Sequence, residues 1–140
     1  TYQAKMDDRD VHEVASLLKG FLNRLPVPLC LPTSYPQFVS AHAIRNVDTR
    51  FQKIKNLFNG LPNANKMVLL HLLRHLHKVA QHSKKNKMTV SSFATTFAPV
   101  IFKCPKELDS PLRVMTDQPA LAAVLATLIS YHHLLPLSQE

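Results

Sequence analysis

The sequence predicts an all-α bundle of amphipathic helices. Apolar residues recur every third or fourth position in several segments, and no segment alternates as a half-buried strand would. Only 2 glycines occur against 10 prolines, so the prolines must fall between packed elements rather than in a flexible tail. With 140 residues, 46% of them hydrophobic, the chain can bury one core. We expect one domain over residues 10–135, a lead-in at 1–9 and a tail at 136–140.

The first helix is predicted from Asp10, where DVHE forms an Asp-x-x-Glu capping box, and it should end before Pro26. Its apolar face repeats at helical spacing through Val11, Val14, Leu18, Leu22 and Leu25. The opposite face carries a polar line of His12, Ser16, Lys19 and Asn23. Lys19 and Asn23 are therefore expected to be neighbours in space.

The middle of the sequence predicts three further helices, at about 35–44, 48–59 and 65–82. In the second of these, Asn59-Gly60 is a stop signal, and the inward residues are Phe51, Ile54 and Phe58. The third has an apolar face of leucines, with His77 at its boundary. Its polar stripe is formed by His71, Arg74, His75, Lys78 and His82.

Two more helices are predicted towards the end of the chain. Thr89 should cap a helix that buries Phe93 and Phe97 and places Ser92 beside Thr95, with Pro99 at its end or at a kink. Residues 103–116 are expected to form a loop, after which Asp117 caps the last helix and Pro119 occupies its first turn.

The formal net charge of +8, from 17 Lys plus Arg against 9 Asp plus Glu, favours an acidic partner. The cluster Lys84, Lys85 and Lys87 could contact phosphates, but aromatic residues are not interleaved with it. A solvated loop is the stronger interpretation, and we predict no nucleic-acid partner. No apolar run approaches the roughly 18 to 20 residues of a membrane span, so we predict no transmembrane segment and a cytoplasmic setting.

Candidate reactive residues are few in this sequence. His71 and His75 have the spacing of a two-histidine metal half-site, but no third ligand of matching character lies nearby, so we predict no metal and no cofactor. No GxSxG elbow or comparable nucleophile context exists, so no active site of its own is expected. Cys30 and Cys104 do not form a disulfide framework or a CxxC site, which weakly favours a reducing compartment.

Three motifs occur together in order: LLKGFLNRLPVPL, LPNAN and NKMTVSSFATTFAP. They resemble the pattern LLKxxLRELPxPL, LPxxN and NKMTxxNLAxxFxP of the RhoGAP family, the GTPase-activating domains for Rho-family GTPases. The resemblance covers roughly residues 10–135, which corresponds to the C-terminal two-thirds of a family domain. It implies a RhoGAP-type helical bundle that is incomplete at its N-terminus.

The resemblance also implies a function, which is docking on the switch regions of a GTP-bound Rho-family GTPase. Members of the family insert an arginine finger that neutralises charge on the transferred phosphoryl group. They carry this arginine in a GxxRxSG-type loop upstream of the helix that begins here, and the present sequence has no such motif. No catalytic residue is therefore predicted within these 140 residues.

Residue by residue, the resemblance implies a GTPase-binding set of Lys19, Asn23, Arg24, Pro28, Asn86, Ser92 and Thr95. Lys19, Pro28 and Asn86 match the family pattern. Asn23 stands where the family has arginine and Arg24 where it has glutamate, so the charge moves about 100° around the helix. Ser92 replaces the asparagine of NLA and lacks its amide.

Several interpretations stay open at this stage. With an upstream arginine finger, the module would stimulate GTP hydrolysis, and without one it would be a pseudo-GAP that only binds the GTPase. A helical scaffold that binds acidic protein or lipid surfaces is the alternative from another class. The family's upstream helices pack on the same core, so their absence would uncover apolar surface and favour a homodimer.

Overall fold

A computed structural model describes residues 8–82, 84, 89–105 and 110–135. The side chains of residues 8–11 are not described, and Asn86, Lys85 and Lys87 lie outside the described residues. In chain order the helices are α1 Asp8–Asn23, α2 Tyr35–His42, α3 Val47–Asn59, α4 Asn63–Ala80, α5 Val90–Ile101 and α6 Pro111–Ser130. Short 3₁₀ turns span Pro32–Ser34 and His132–Leu134. No strand occurs in the described residues, so the all-α prediction is confirmed.

Helix α6 lies at the centre of the bundle and packs against α2, α3, α4 and α5. Its inward residues recur at helical spacing, which lets one helix contact neighbours on several sides. The same core takes aromatic residues from α5, where the Phe93 and Phe97 ring centroids are 6.1 Å apart. The buried residues of α6 are Asp117, Leu121, Val124, Leu125, Leu128 and Ile129.

Most predicted helix boundaries agree with the structure to within two residues. The Asn46 side chain caps α3 by accepting a hydrogen bond from the Thr49 amide, and Thr89 caps α5 in the same way from the Ser92 amide. The Thr89 cap is confirmed. Pro99 does not end α5, because the helix continues to Ile101.

The predicted start of the last helix is wrong. Helix α6 begins at Pro111, and the Ser110 side chain caps it by accepting a hydrogen bond from the Arg113 amide. Residues 111–116 are therefore helical rather than loop, and Pro119 lies inside the helix. Ser110-Pro111 is itself a cap followed by proline at the first helical position, which competes with the signal at Asp117.

Asp117 has a different role from the predicted cap, since it is only 4% exposed. Its Oδ2 accepts hydrogen bonds from the Tyr35 hydroxyl and from Arg113 Nε, both at 2.8 Å. Burial and the bond to this carboxylate raise the pKa of Tyr35, and the same carboxylate raises the pKa of Arg113. The carboxylate therefore joins α2 to the first turns of α6.

Among the described residues, α6 is long and apolar enough by length and composition to cross a membrane, although only one-third of its most apolar window is buried. The helix contains Arg113 and Asp117, so it is not an uninterrupted apolar run, and the absence of a transmembrane segment stays a prediction. Helix α6 contacts four other helices and carries the buried Asp117, so its position in the core explains its apolar composition.

We expect Asp117→Ala to lower the free energy of unfolding by roughly 1–3 kcal/mol, because it leaves the buried Tyr35 hydroxyl without its acceptor. Urea denaturation followed by circular dichroism measures the change. Thr116→Ala, at an exposed neighbouring position, is the control. A loss no larger than that of the control would contradict the role assigned to Asp117.

Candidate functional site

The candidate site begins on α1, where Lys19, Asn23 and Arg24 are all exposed. Leu22 is buried and Leu18 is partly buried against the core, so the apolar stripe holds α1 with its polar line outward. The predicted line of His12, Ser16, Lys19 and Asn23 is exposed at every position. Leu25 follows the end of the helix rather than lying on it.

The turn after α1 is held by two hydrogen bonds. The Leu29 carbonyl accepts from Asn65 Nδ2 at 3.0 Å, and the Cys30 amide donates to the Ile101 carbonyl at 3.2 Å. Pro28 is buried within this turn, so its side chain packs inside this chain and shapes the turn. Asn65 is the last residue of LPNAN, and its side chain explains why that motif ends in an amide.

The second part of the candidate site is the start of α5. Ser92 is half-buried, and its hydroxyl lies 3.1 Å from Thr89 Oγ1 while its amide donates to the same oxygen. Thr95 is exposed one turn further along. Ser92 is thus engaged in the helix cap, and Thr95 has the more accessible side chain.

The structure brings the helices that carry these residues together, because α1 packs against α5. Beyond the end of α5, Lys103 Nζ donates a 2.6 Å hydrogen bond to the main-chain carbonyl of Asn23. This bond satisfies a carbonyl at the helix C-terminus, where positive charge is favoured. Pairing with Lys103 was not predicted from the sequence, since the two residues are 80 positions apart.

The arginines divide into structural and exposed ones. Arg113 binds Asp117, and Arg50 Nη1 donates to the Ile44 carbonyl at 2.7 Å. Arg24, Arg45 and Arg74 are exposed. Arg50, Arg74 and Arg113 lie on helices, whereas Arg24 directly follows α1 and Arg45 lies between α2 and α3.

The histidines do not form a metal site in the described part of the chain, where no group of three or more His, Cys, Asp or Glu residues could hold an ion. Burial lowers the pKa of His75, and Lys78 lowers it further. Burial, followed by His132 and His133, lowers the pKa of His77. The His77 and His132 ring centroids are 4.8 Å apart, which ties the C-terminal 3₁₀ turn to α4.

This histidine environment predicts lower stability in acid. Because the folded pKa values of His75 and His77 lie below the unfolded value of about 6.5, the unfolded chain binds more protons in that window. The free energy of unfolding should fall as the pH decreases from above 6.5 through the folded pKa values. Urea titrations over this range should show a flatter profile for His75→Gln/His77→Gln, whereas the exposed control His12→Gln should keep the wild-type slope.

Gly20 lies inside α1, and a Cβ there would be 3.3 Å from Arg24 Nη1. The guanidinium is the end of a flexible side chain and can move. We expect Gly20→Ala to raise the free energy of unfolding by roughly 0.5–1 kcal/mol, because alanine costs less backbone entropy in a helix. Thermal or urea denaturation measures this, and a destabilised variant would show that Arg24 is held in place.

Comparison with known proteins identifies the class. A family model for the RhoGAP domain matches residues 1–106. The GTPase-activating protein pac-1 of Caenorhabditis elegans is 36% identical over 124 residues, covering 89% of this chain and 8% of that protein. The breakpoint cluster region protein of Homo sapiens is 35% identical over 114 residues, covering 81% of this chain and 9% of that protein. The chain therefore belongs to the RhoGAP family.

Solved structures agree with this assignment. The BH domain from GRAF, the GTPase regulator associated with focal adhesion kinase, superposes with a TM-score of 0.74 at 31% identity, covering 83% of this chain and 60% of that one. Human Rho GTPase activating protein 15 has a TM-score of 0.75 at 26% identity, with 87% and 56% covered. The chain spans about one-tenth of the curated relatives named above and somewhat more than half of these solved chains.

Proposed function

We propose that this chain is a RhoGAP module that binds a Rho-family small GTPase in its GTP-bound state. Family membership together with the exposed Lys19 line on α1, beside α5, supports the proposal. The binding set is Lys19, Asn23, Arg24, Thr95 and Asn86 as contacts, with Pro28 and Ser92 shaping the turn and the cap beneath them. A partner of this kind also implies action in the cytoplasm.

Lys19 is the central contact in this proposal. Its side chain is exposed, and the ion pair found in the described residues is the one between Arg113 and Asp117, so Lys19 is free to meet an acidic group on the partner. A charge-assisted hydrogen bond to a partially desolvated carboxylate contributes more than a neutral one. Asn23, one turn further on, offers an amide where the family pattern has a guanidinium.

We propose that residues 1–140 bind the GTPase but stimulate its GTP hydrolysis only weakly or not at all. An arginine finger acts by electrostatic stabilisation of the transferred phosphoryl group and is worth about 10³ to 10⁵ in rate. Among the arginines whose side chains the structure describes, Arg50 and Arg113 are bonded within the fold, and the others are exposed. Stimulation would then depend on an arginine supplied from outside residues 1–140.

Binding can be measured by fluorescence anisotropy on Rho-family GTPases loaded with a GTP analogue, GDP, or GDP plus a planar fluoride transition-state mimic. We expect tighter binding to the GTP-analogue form and little further gain with the mimic. Lys19→Ala should weaken the complex about tenfold or more, because it removes a charged hydrogen bond. Lys53→Ala, an exposed change on α3, should leave affinity unchanged.

Equal affinity for all three nucleotide states would rule out the GTPase proposal and favour the scaffold alternative. A large gain in affinity with the mimic would instead show that an arginine of this chain reaches the phosphate. That result would contradict the proposed weak stimulation and leave the proposed binding intact. The rate of single-turnover GTP hydrolysis measures stimulation directly and so separates it from binding. The Asn23→Arg variant, which returns the family's charge, is expected to tighten the complex.

A further inference from the structure

Lys103 brings a positive charge from the end of α5 to the end of α1. Its Nζ donates a 2.6 Å hydrogen bond to the main-chain carbonyl of Asn23, the last residue of α1. Ile101 and Phe102, which precede Lys103, are buried. The Ile101 carbonyl also accepts a hydrogen bond from the Cys30 amide, so the main chain next to Lys103 is fixed. The fold therefore holds this ammonium at the C-terminus of α1.

The same ammonium lies close to the side chain of Asn23. The carbonyl oxygen and the Cβ of one residue are about 3 Å apart, so Nζ of Lys103 lies within roughly 6 Å of the Asn23 Cβ. Lys19 precedes Asn23 by one helical turn, or about 6 Å along the axis of α1. Lys103 therefore places a cation at the C-terminal end of the polar line that contains Lys19.

The hydrogen bond to Asn23 uses only part of the capacity of this ammonium. A lysine has three N–H donors, and the carbonyl takes one of them. Lys103 is half-buried, and it forms no ion pair with an acidic side chain that the structure describes. A lysine whose head group is already held loses less side-chain entropy when a partner binds than a mobile one does. The remaining donors are thus pre-organised for an acidic group.

Arg24 does not supply a cation at the same place. Its Nη1 is 3.3 Å from the position of a Cβ on Gly20, so the guanidinium folds back along α1 beside Gly20. Gly20 points about 100° around the helix from Lys19. Among the described residues, Lys103 is therefore the cation that a measured bond holds at position 23.

We propose that Lys103 is a second cationic contact of the proposed GTPase surface, a role that rests on the proposed function. Position 23 has a neutral amide where the family pattern has an arginine, and Lys103 supplies positive charge there from another helix. The partner would then present acidic groups to both Lys19 and Lys103. Such a pair of cations disfavours a GTPase whose matching positions are neutral or basic, because like or unpaired charges across an interface are costly.

Fluorescence anisotropy with a Rho-family GTPase loaded with a GTP analogue tests this role. Lys103→Met removes the charge but keeps an unbranched apolar side chain, and it should weaken the complex about fivefold to tenfold. Lys103→Arg should retain the affinity within about twofold, because it keeps the charge and a donor. The control Lys55→Met, at a half-buried position on α3, should leave the affinity unchanged.

A contact to the partner can be distinguished from a helix cap that acts only within this chain. Lys103→Gln keeps an N–H donor for the Asn23 carbonyl and removes only the charge, so it should lose as much affinity as Lys103→Met. Adding Asn23→Arg to either variant should recover most of the loss, because the new guanidinium replaces the missing cation. Wild-type affinity in Lys103→Gln, or no recovery with Asn23→Arg, would show that Lys103 is only a cap.

The association rate gives a second readout that a cap would not change. The rate constant of the wild type should fall more steeply with added salt than that of Lys103→Gln, because attraction between charged surfaces is screened by salt. Parallel salt profiles would overturn the assignment. Urea denaturation and circular dichroism verify that each variant is folded at the temperature of the binding measurement.

Failure of this role can be told apart from failure of the proposed function. Weakened binding of Lys19→Ala with unchanged binding of Lys103→Met and Lys103→Gln would overturn the role of Lys103 and leave the proposed function intact. Equal affinity of the wild type for the GTP-analogue, GDP and planar-fluoride forms would overturn both.

Discussion

The burial of α6 among four other helices is the constraint on which the structure depends. A helix enclosed in this way must be apolar on several sides, and the segment from Leu121 to Ile129 meets that requirement. The buried carboxylate of Asp117 is satisfied by Tyr35 and Arg113. Because a buried charge without partners is costly, this arrangement specifies how α2 meets the start of α6.

The site depends on a second set of restraints, which lie at the end of α1. Asn65 and Ile101 bind the main chain of the turn after α1, and Lys103 binds the last carbonyl of the helix. These contacts link α1 to α4 and α5 through main-chain atoms that exist whatever side chains the turn carries. The position of Lys19 on the surface therefore follows from contacts made by residues far away in sequence.

Much of the fold could be predicted because its signals are local. Three correct predictions depend on residues within a few turns of each other: the cap at Thr89, the apolar stripe of α4, and the inward positions of Phe93 and Phe97. The start of α6 could not be read in the same way. Both Ser110-Pro111 and the segment Asp117 to Pro119 are cap-like, and what excludes the second is burial of Asp117 against Tyr35, 82 positions away.

The site was predictable in part for the same reason. The exposed line on α1 follows from helical spacing, so Lys19 and Asn23 could be placed on one face without the structure. Burial of Pro28 and the bond from Asn65 to the Leu29 carbonyl depend on tertiary contacts. The sequence therefore indicated which candidate residues share a face of α1, and the structure shows that Lys19 and Asn23 are exposed whereas Pro28 is buried.

The exchange at positions 23 and 24 changes where charge lies at the end of the first helix. Arg24 lies about 140° around α1 from Lys19, because successive helical residues turn by about 100°. Asn23 occupies the position beside Lys19, and both side chains are exposed. An amide at that position can donate and accept hydrogen bonds but cannot make the charged bidentate contact of a guanidinium. On α1, the proposed GTPase surface therefore carries one cation fewer beside Lys19 than the family pattern has.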